Sequence, residues 1–219
     1  APGQMVTTRA GNVRFSNASL TPSDYDYFYN QNAVVTLGAH NALSTRAIVD
    51  IGSVGAASFD LSGYSQTIGA LTRVAAQTAT VTNTSGALST LTINVAARDG
   101  GILTGDWNFA GQITGNLALV KDGPGIQLLS GANFYTGGTT VAGGTLRMGN
   151  VNALGGDTGF NGALTVNGGT LDIFGVGNAA IGTLAGAGGA ITDSGFFSGS
   201  SVVSTYSLAD SSYAGAIND

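Results

Sequence analysis

The chain has 219 residues, of which 36 are Gly and only 9% are charged, with a formal net charge of −5. Seven Lys and Arg scattered over this length cannot form the basic patch that nucleic-acid phosphates demand, and the absence of Cys excludes a disulfide framework. A hydrophobic share of 43% with a mean hydropathy of +0.24 argues against a disordered chain, and no stretch has the dense aliphatic run of a membrane-spanning helix.

All 12 acidic residues are Asp, and Lys121 is the single Lys. Glu and Lys favour helices, whereas Asp, Asn and Gly favour turns and Thr and Val favour strands, so the composition predicts an all-β chain. Abundant Ser, Thr and Asn hydrate its surface in place of charge.

Residues 1–33 form an N-terminal segment whose style differs from the rest. Ser23-Asp24-Tyr25-Asp26-Tyr27-Phe28-Tyr29-Asn30 alternates acidic and aromatic residues. Asp24 and Asp26 are weak candidates for a Ca²⁺ site, and Tyr25, Tyr27 and Tyr29 are candidates for contact with a ligand such as a sugar. The simpler reading, that these aromatics cover an end or side of the molecule, is preferred. His40 is the only His, so a His cluster for Zn²⁺ cannot form and a Ser-His-Asp centre would have to use it; a turn residue beside Asn41-Ala42-Leu43 is the plainer role. Arg98-Asp99-Gly100-Gly101 reads as a charged turn. Trp107 is a candidate partner contact or, more commonly for such a residue, a side chain packed under a loop.

Self-similarity organises the remainder. Thr140-Val141-Ala142-Gly143-Gly144-Thr145-Leu146-Arg147-Met148 returns as Thr165-Val166-Asn167-Gly168-Gly169-Thr170-Leu171-Asp172-Ile173, at a constant offset of 25 residues. In each copy two short alternating pieces flank a Gly-Gly bend, which predicts strand, corner, strand within one coil of a solenoid. A second similarity has an offset of about 111 residues. Val35-Thr36-Leu37-Gly38 with Asn41-Ala42-Leu43 answers Leu146-Arg147-Met148-Gly149 with Asn152-Ala153-Leu154. Asp60 answers Asp172, Ile68-Gly69-Ala70-Leu71 answers Ile181-Gly182-Thr183-Leu184, and Val81 to Gly86 answers Ala190 to Gly195. These repeats predict a right-handed parallel β-helix of about ten coils of roughly 20–25 residues. Residues 34–151 form its first block, and residues 152–219 a second, incomplete one within the same solenoid. Because the pattern stops partway through a copy, the expectation is a length of a longer chain, or an end covered by another copy.

Leu119 to Gly149 holds the most specific stretch, with Lys121-Asp122-Gly123-Pro124-Gly125 followed by Leu129-Ser130-Gly131-Ala132-Asn133-Phe134-Tyr135-Thr136-Gly137-Gly138-Thr139-Thr140-Val141 and Gly143-Gly144-Thr145-Leu146. This resembles the passenger-associated transport repeat of bacterial autotransporter passenger domains, and the less regular blocks over residues 34–219 are similar to the coils that accompany it. The resemblance implies a β-helical passenger on the bacterial cell surface, adhesive or structural. The aromatic-girdled strand pattern of a membrane barrel is absent from these residues.

The functional expectation is a non-catalytic extracellular segment, free to assemble into a fibre. Its partners would be further repeats of the same chain or other copies, and host or neighbouring-cell surfaces or glycans. No nucleic acid, membrane span, cofactor or catalytic residue is expected. The alternatives are a carbohydrate-active β-helix enzyme and a sugar-binding module. The enzyme needs clustered carboxylates with Arg or Lys on one side of the rod, and Asp60 and Asp172 read instead as strand or turn residues.

Overall fold

The structure is a computed structural model, and it describes residues 5–16, 27–73, 78–97, 107–156, 161–177, 179–195, 203–205 and 212–218. Among them every regular element is a short strand and every strand pairing is parallel. The chain winds through three faces per turn. On the first face Met5–Thr8, Tyr27–Asn30, Ile48–Ile51 and Ala70–Thr72 pair in that order, and Trp107–Phe109, Ile126–Leu129, Thr145–Met148, Thr170–Asp172, Ala190–Thr192 and Ala216–Asn218 continue it. A parallel bridge between Arg73 and Phe109 joins the two series.

The second face stacks Gly11–Phe15, Ala33–Leu37, Ala57–Asp60, Ala79–Asn83, Gln112–Gly115 and Phe134–Tyr135, with Ala179–Ile181 and Val203–Thr205 further along. On the third lie Gln66–Ile68, Ser89–Asn94, Leu117–Asp122, Thr139–Val141, Leu164–Val166, Leu184–Gly186 and Ser212–Tyr213. This is the expected β-solenoid. Among the described residues eight turns begin at Tyr27, Ile48, Ala70, Trp107, Ile126, Thr145, Thr170 and Ala190, and six of them, all but those at Tyr27 and Thr145, carry a strand on each face. At about 4.8 Å per rung the ladder on the first face is roughly 45 Å long.

Alternation along each strand sends one set of side chains into the bore. On the first face Phe28, Val49 and Leu71 stack in register and are fully buried; Leu146, Leu171 and Ile191 do the same higher up. Each such side chain contributes about 1.5–3 kcal/mol through burial. Outward positions on the third face carry Thr67, Thr92, Val120, Thr140 and Thr165 in one line, which keeps the surface wet without charge.

The 25-residue repeat is one turn, because Thr140 pairs with Thr165 on the third face and Leu146 with Leu171 on the first. The longer repeat has a different meaning. Val35 and Phe59 are on the second face, whereas Leu146 and Leu171, which occupy the matching places, are on the first. The second copy is thus out of phase with the first by one face, a third of a turn. What repeats is a corner and its flanking strands, used wherever the chain turns.

Candidate functional site

Of the expected contact residues, Asp24, Tyr25 and Asp26 lie outside the described residues. Tyr27 and Tyr29 point outward from the first face on either side of the buried Phe28, and their rings lie parallel, 13° apart with centroids 5.8 Å from each other. The strand alternation that buries Phe28 turns both Tyr outward. Asp50 sits beside Tyr29 in the ladder. One of its carboxylate oxygens, Oδ1, is buried without a hydrogen bond, and burial raises the Asp50 pKa above the usual carboxylate range, with the charge of Arg73 opposing.

Trp107 takes an inward position in register with Gln127, is half-buried and packs against the apolar core. Gln127 is fully buried. Its Nε2 donates to the carbonyls of Leu71 at 2.8 Å and Trp107 at 2.9 Å, and its Oε1 accepts from the Leu71 amide at 3.1 Å. It therefore closes backbone groups on both sides of the Trp107 rung, where the first face passes from Ala70–Thr72 to Trp107–Phe109. His40 lies against Tyr64 edge-on, and its Nδ1 accepts from the Ser65 amide at 3.0 Å.

Asp60 and Asp172 each complete a corner, by the same set of bonds. Asp60 Oδ1 accepts from the Ser62 and Thr84 amides at 2.8 and 3.1 Å, and Oδ2 from the Thr84 hydroxyl at 2.6 Å. Asp172 Oδ1 accepts from the Phe174 and Ser194 amides at 3.1 and 3.0 Å, and Oδ2 from the Ser194 hydroxyl at 2.6 Å. A second acceptor in the next rung completes each: Asn83 Oδ1 takes the Gly63 and Ser85 amides, and Asp193 Oδ1 the Gly175 and Gly195 amides. Ser62 and Phe174 adopt φ of 49° and 48°, and the glycines that follow, Gly63 and Gly175, 88° and 69°. The first device turns the chain from face two to face three and the second from face one to face two. They are five turns apart, roughly 24 Å along the axis.

Arg147 adds to the second corner, its Nε donating to Asp172 Oδ2 at 2.7 Å while its guanidinium lies 4.5 Å from the centre of the Phe174 ring. Burial alone would raise the Asp172 pKa; the Ser194 hydroxyl and amide and Arg147 outweigh it and hold the carboxylate below its ordinary value. Among the described residues no three His, Cys, Asp or Glu side chains gather into a metal site, and no helix is long and apolar enough to cross a membrane.

Several polar residues of the 119–149 stretch point inward. Lys121 is fully buried, and its Nζ donates to the carbonyls of Asp122, Gly123 and Gly143 at 2.7, 2.9 and 3.1 Å. The ammonium gathers carbonyls of two stacked corners between face three and face one, of which that of Asp122 also accepts from the Val95 amide at 3.0 Å. Burial pulls the Lys121 pKa down to about 8, against the attraction of Asp122. Asn133 links three successive turns: its Oδ1 accepts from the Ile113 amide at 2.8 Å below, and its Nδ2 donates to the Ala153 carbonyl at 2.6 Å above. Thr139 Oγ1 donates to the Leu154 carbonyl at 3.2 Å and therefore accepts from the buried Tyr135 hydroxyl at 2.6 Å. These roles were hidden in the sequence, because a lone Lys, Asn or Tyr in a β repeat carries no sign of which way it faces.

Two stretches of the chain, residues 119–148 and 153–173, match the model of the passenger-associated-transport-repeat family. The chain is also similar to the adhesin BmaC autotransporter of Brucella suis biovar 1 (strain 1330), with 50% identity over 48 residues, which are 22% of this chain and 1% of that protein's length. No solved structure matches it.

Proposed function

We propose that this chain, which carries the passenger-associated transport repeat, is a non-catalytic structural and adhesive segment of a longer bacterial surface protein. The observation that carries the reading is the use to which the distinctive polar residues are put. Lys121, Asn133, Thr139, Asp60 and Asp172 all spend hydrogen-bonding groups on joining one turn to the next, and Tyr135 spends its hydroxyl on Thr139 within a turn. Nothing in that arrangement offers a pair of free carboxylates to a glycosidic bond. What is offered outward is a series of ladders of Thr, with the Tyr27 and Tyr29 pair on another face. Such faces suit shallow contact with glycans or other surfaces, and the parallel rungs suit stacking on further coils, of the same chain or of another copy in a fibre. The adhesin name of the Brucella protein and the matched repeat support the extracellular location.

The test joins localisation to activity. Antibody against the chain should label intact, unpermeabilised cells of the source bacterium, and beads coated with the purified chain should adhere to cell surfaces more than beads coated with an unrelated β protein. A panel of polysaccharides should remain uncleaved. Cleavage that disappears in an Asp60 or Asp172 variant of unchanged fold would overturn the reading in favour of an enzyme, and labelling only after permeabilisation would overturn the location.

A further inference from the structure

Asn followed by Gly occurs twice in the chain, at Asn161-Gly162 and Asn167-Gly168. Such pairs are chemically labile, because Gly has no Cβ to hinder its amide nitrogen and Asn is among the thermolabile residues. The two pairs sit six residues apart in opposite surroundings. Asn161 is 2% exposed. Its Oδ1 accepts from the Leu154 amide at 2.9 Å and its Nδ2 donates to the Val151 and Ala180 carbonyls at 2.8 and 3.0 Å, while the Gly162 amide donates to the Gly155 carbonyl at 3.0 Å. Both reacting groups are occupied.

Asn167 and Gly168 are exposed at the corner between face three and face one. Asn167 keeps one side-chain bond, from the Ala187 amide to its Oδ1 at 3.2 Å. Among the described residues its Nδ2 and the Gly168 amide have no acceptor. In the stacked corners below and above, Ala142-Gly143-Gly144 and Ala187-Gly188-Gly189, Ala takes the place of Asn167.

We propose that Asn167 is a site of spontaneous deamidation, and that Asn161 is protected by the fold. The Gly168 nitrogen attacks the Asn167 side-chain carbonyl carbon, forming the new C–N bond of a succinimide; the old C–N bond of the side-chain amide breaks and ammonia leaves. Water then adds to one of the two ring carbonyls and opens the ring, giving aspartate, or isoaspartate with an extra backbone carbon in the corner. Water is consumed, ammonia released, and no oxidant or enzyme takes part. Either product adds a negative charge to a chain whose net charge is −5, at a corner that touches the next turn through Ala187.

The test is ageing of the folded full chain in mildly alkaline buffer made with heavy-oxygen water, followed by peptide mass spectrometry and isoaspartate-specific methylation. Asn167 should convert at least on the order of tenfold faster than Asn161, since local protection divides a labile site's rate by its opening equilibrium. In urea the two should convert at similar rates. A Gly168→Ala variant should slow Asn167 and leave Asn161 unchanged; among the described residues its added methyl meets the Ala142 carbonyl oxygen, at 3.2 Å. Equal rates in the folded chain, or conversion first at Asn161, would overturn the assignment. So would an inert Asn167 in a chain that converts when unfolded.

Discussion

Replacing Lys121 by Met keeps a long, flexible side chain in the bore and removes the ammonium that three carbonyls share. Leaving the Gly123 and Gly143 carbonyls without a donor costs about 1 kcal/mol each, so about 2 kcal/mol in all, while the Asp122 carbonyl keeps the Val95 amide. The substitution also abolishes the cost of keeping a charge away from water, several kcal/mol for a buried ion, which offsets that loss. The expected result is a net change within about 1 kcal/mol in urea unfolding, together with faster amide exchange at Gly123, Gly125 and residues 143–145, the two corners it ties. Dependence on pH gives a second reading of the same group. The pKa of Lys121 falls from 10.5 to about 8 on folding, so the unfolded chain binds more protons between these values and stability rises with pH across that window. Tyr135 acts in the other sense: burial raises its pKa above the ordinary 10, against its bond to Thr139. Its contribution is complete below that value and is lost above it as the unfolded phenol ionises. The rise should therefore be seen between about pH 8 and pH 9.5, and be missing in Lys121→Met. Unchanged exchange at both corners, or a rise with pH that persists in Lys121→Met, would refute the account.

Asp172→Asn should destabilise by about 1–3 kcal/mol through loss of the charge-assisted bonds from Ser194 and Arg147. Because the folded carboxylate is held below its ordinary 3.8, its contribution is present above that value and lost as pH falls through the folded pKa. Urea midpoints measured from about pH 4 downward should fall less steeply in the variant, and parallel curves would contradict this. Gly63→Ala places a Cβ on a residue at φ 88° and should cost about 1–2 kcal/mol, with Gly63→Asn costing less because Asn tolerates the left-handed region better; the reverse order in thermal melts would count against the corner geometry. Changing both Tyr27 and Tyr29 to Ser should lower bead adherence while moving the unfolding free energy by no more than about 1.5 kcal/mol, the worth of an aromatic pair. Full adherence would remove these two residues from the contact surface.

Much of the architecture was legible because period-two alternation and Gly-rich bends state the strand and the corner directly. The 25-residue offset proved to be the turn itself, with Thr145 over Thr170 and Arg147 over Asp172. Polar residues were harder. Trp107 follows the same parity as Phe109 and Gln127 the same as Leu129, yet only the register shows that all four face the bore, and only the coordinates show that Gln127 serves the backbone of Leu71 across an intervening strand. Arg73 shares the inward register of Phe109 and is 2% exposed, with Nε and Nη2 unpartnered; no pattern in its neighbours foretells a guanidinium there.

The 111-residue similarity is the most instructive case, because it is real in the residues and yet relates no two strands of one face. Asp60-Leu61-Ser62-Gly63 and Asp172-Ile173-Phe174-Gly175 make the same bonds at corners one face apart. A corner needs a carboxylate at the end of a strand, an apolar residue turned inward, two residues with positive φ, and a hydroxyl and an acceptor in the next rung. None of these requirements refers to which face is being left. Each face presents the next with the same parallel edge at the same spacing, so a corner that works at one third of the turn works at the others. Selection on such a chain acts on corners and their stacked partners, and whole turns are free to lose phase. This explains why a turn as long as the one from Ala70 to Trp107 leaves the turns on both sides regular.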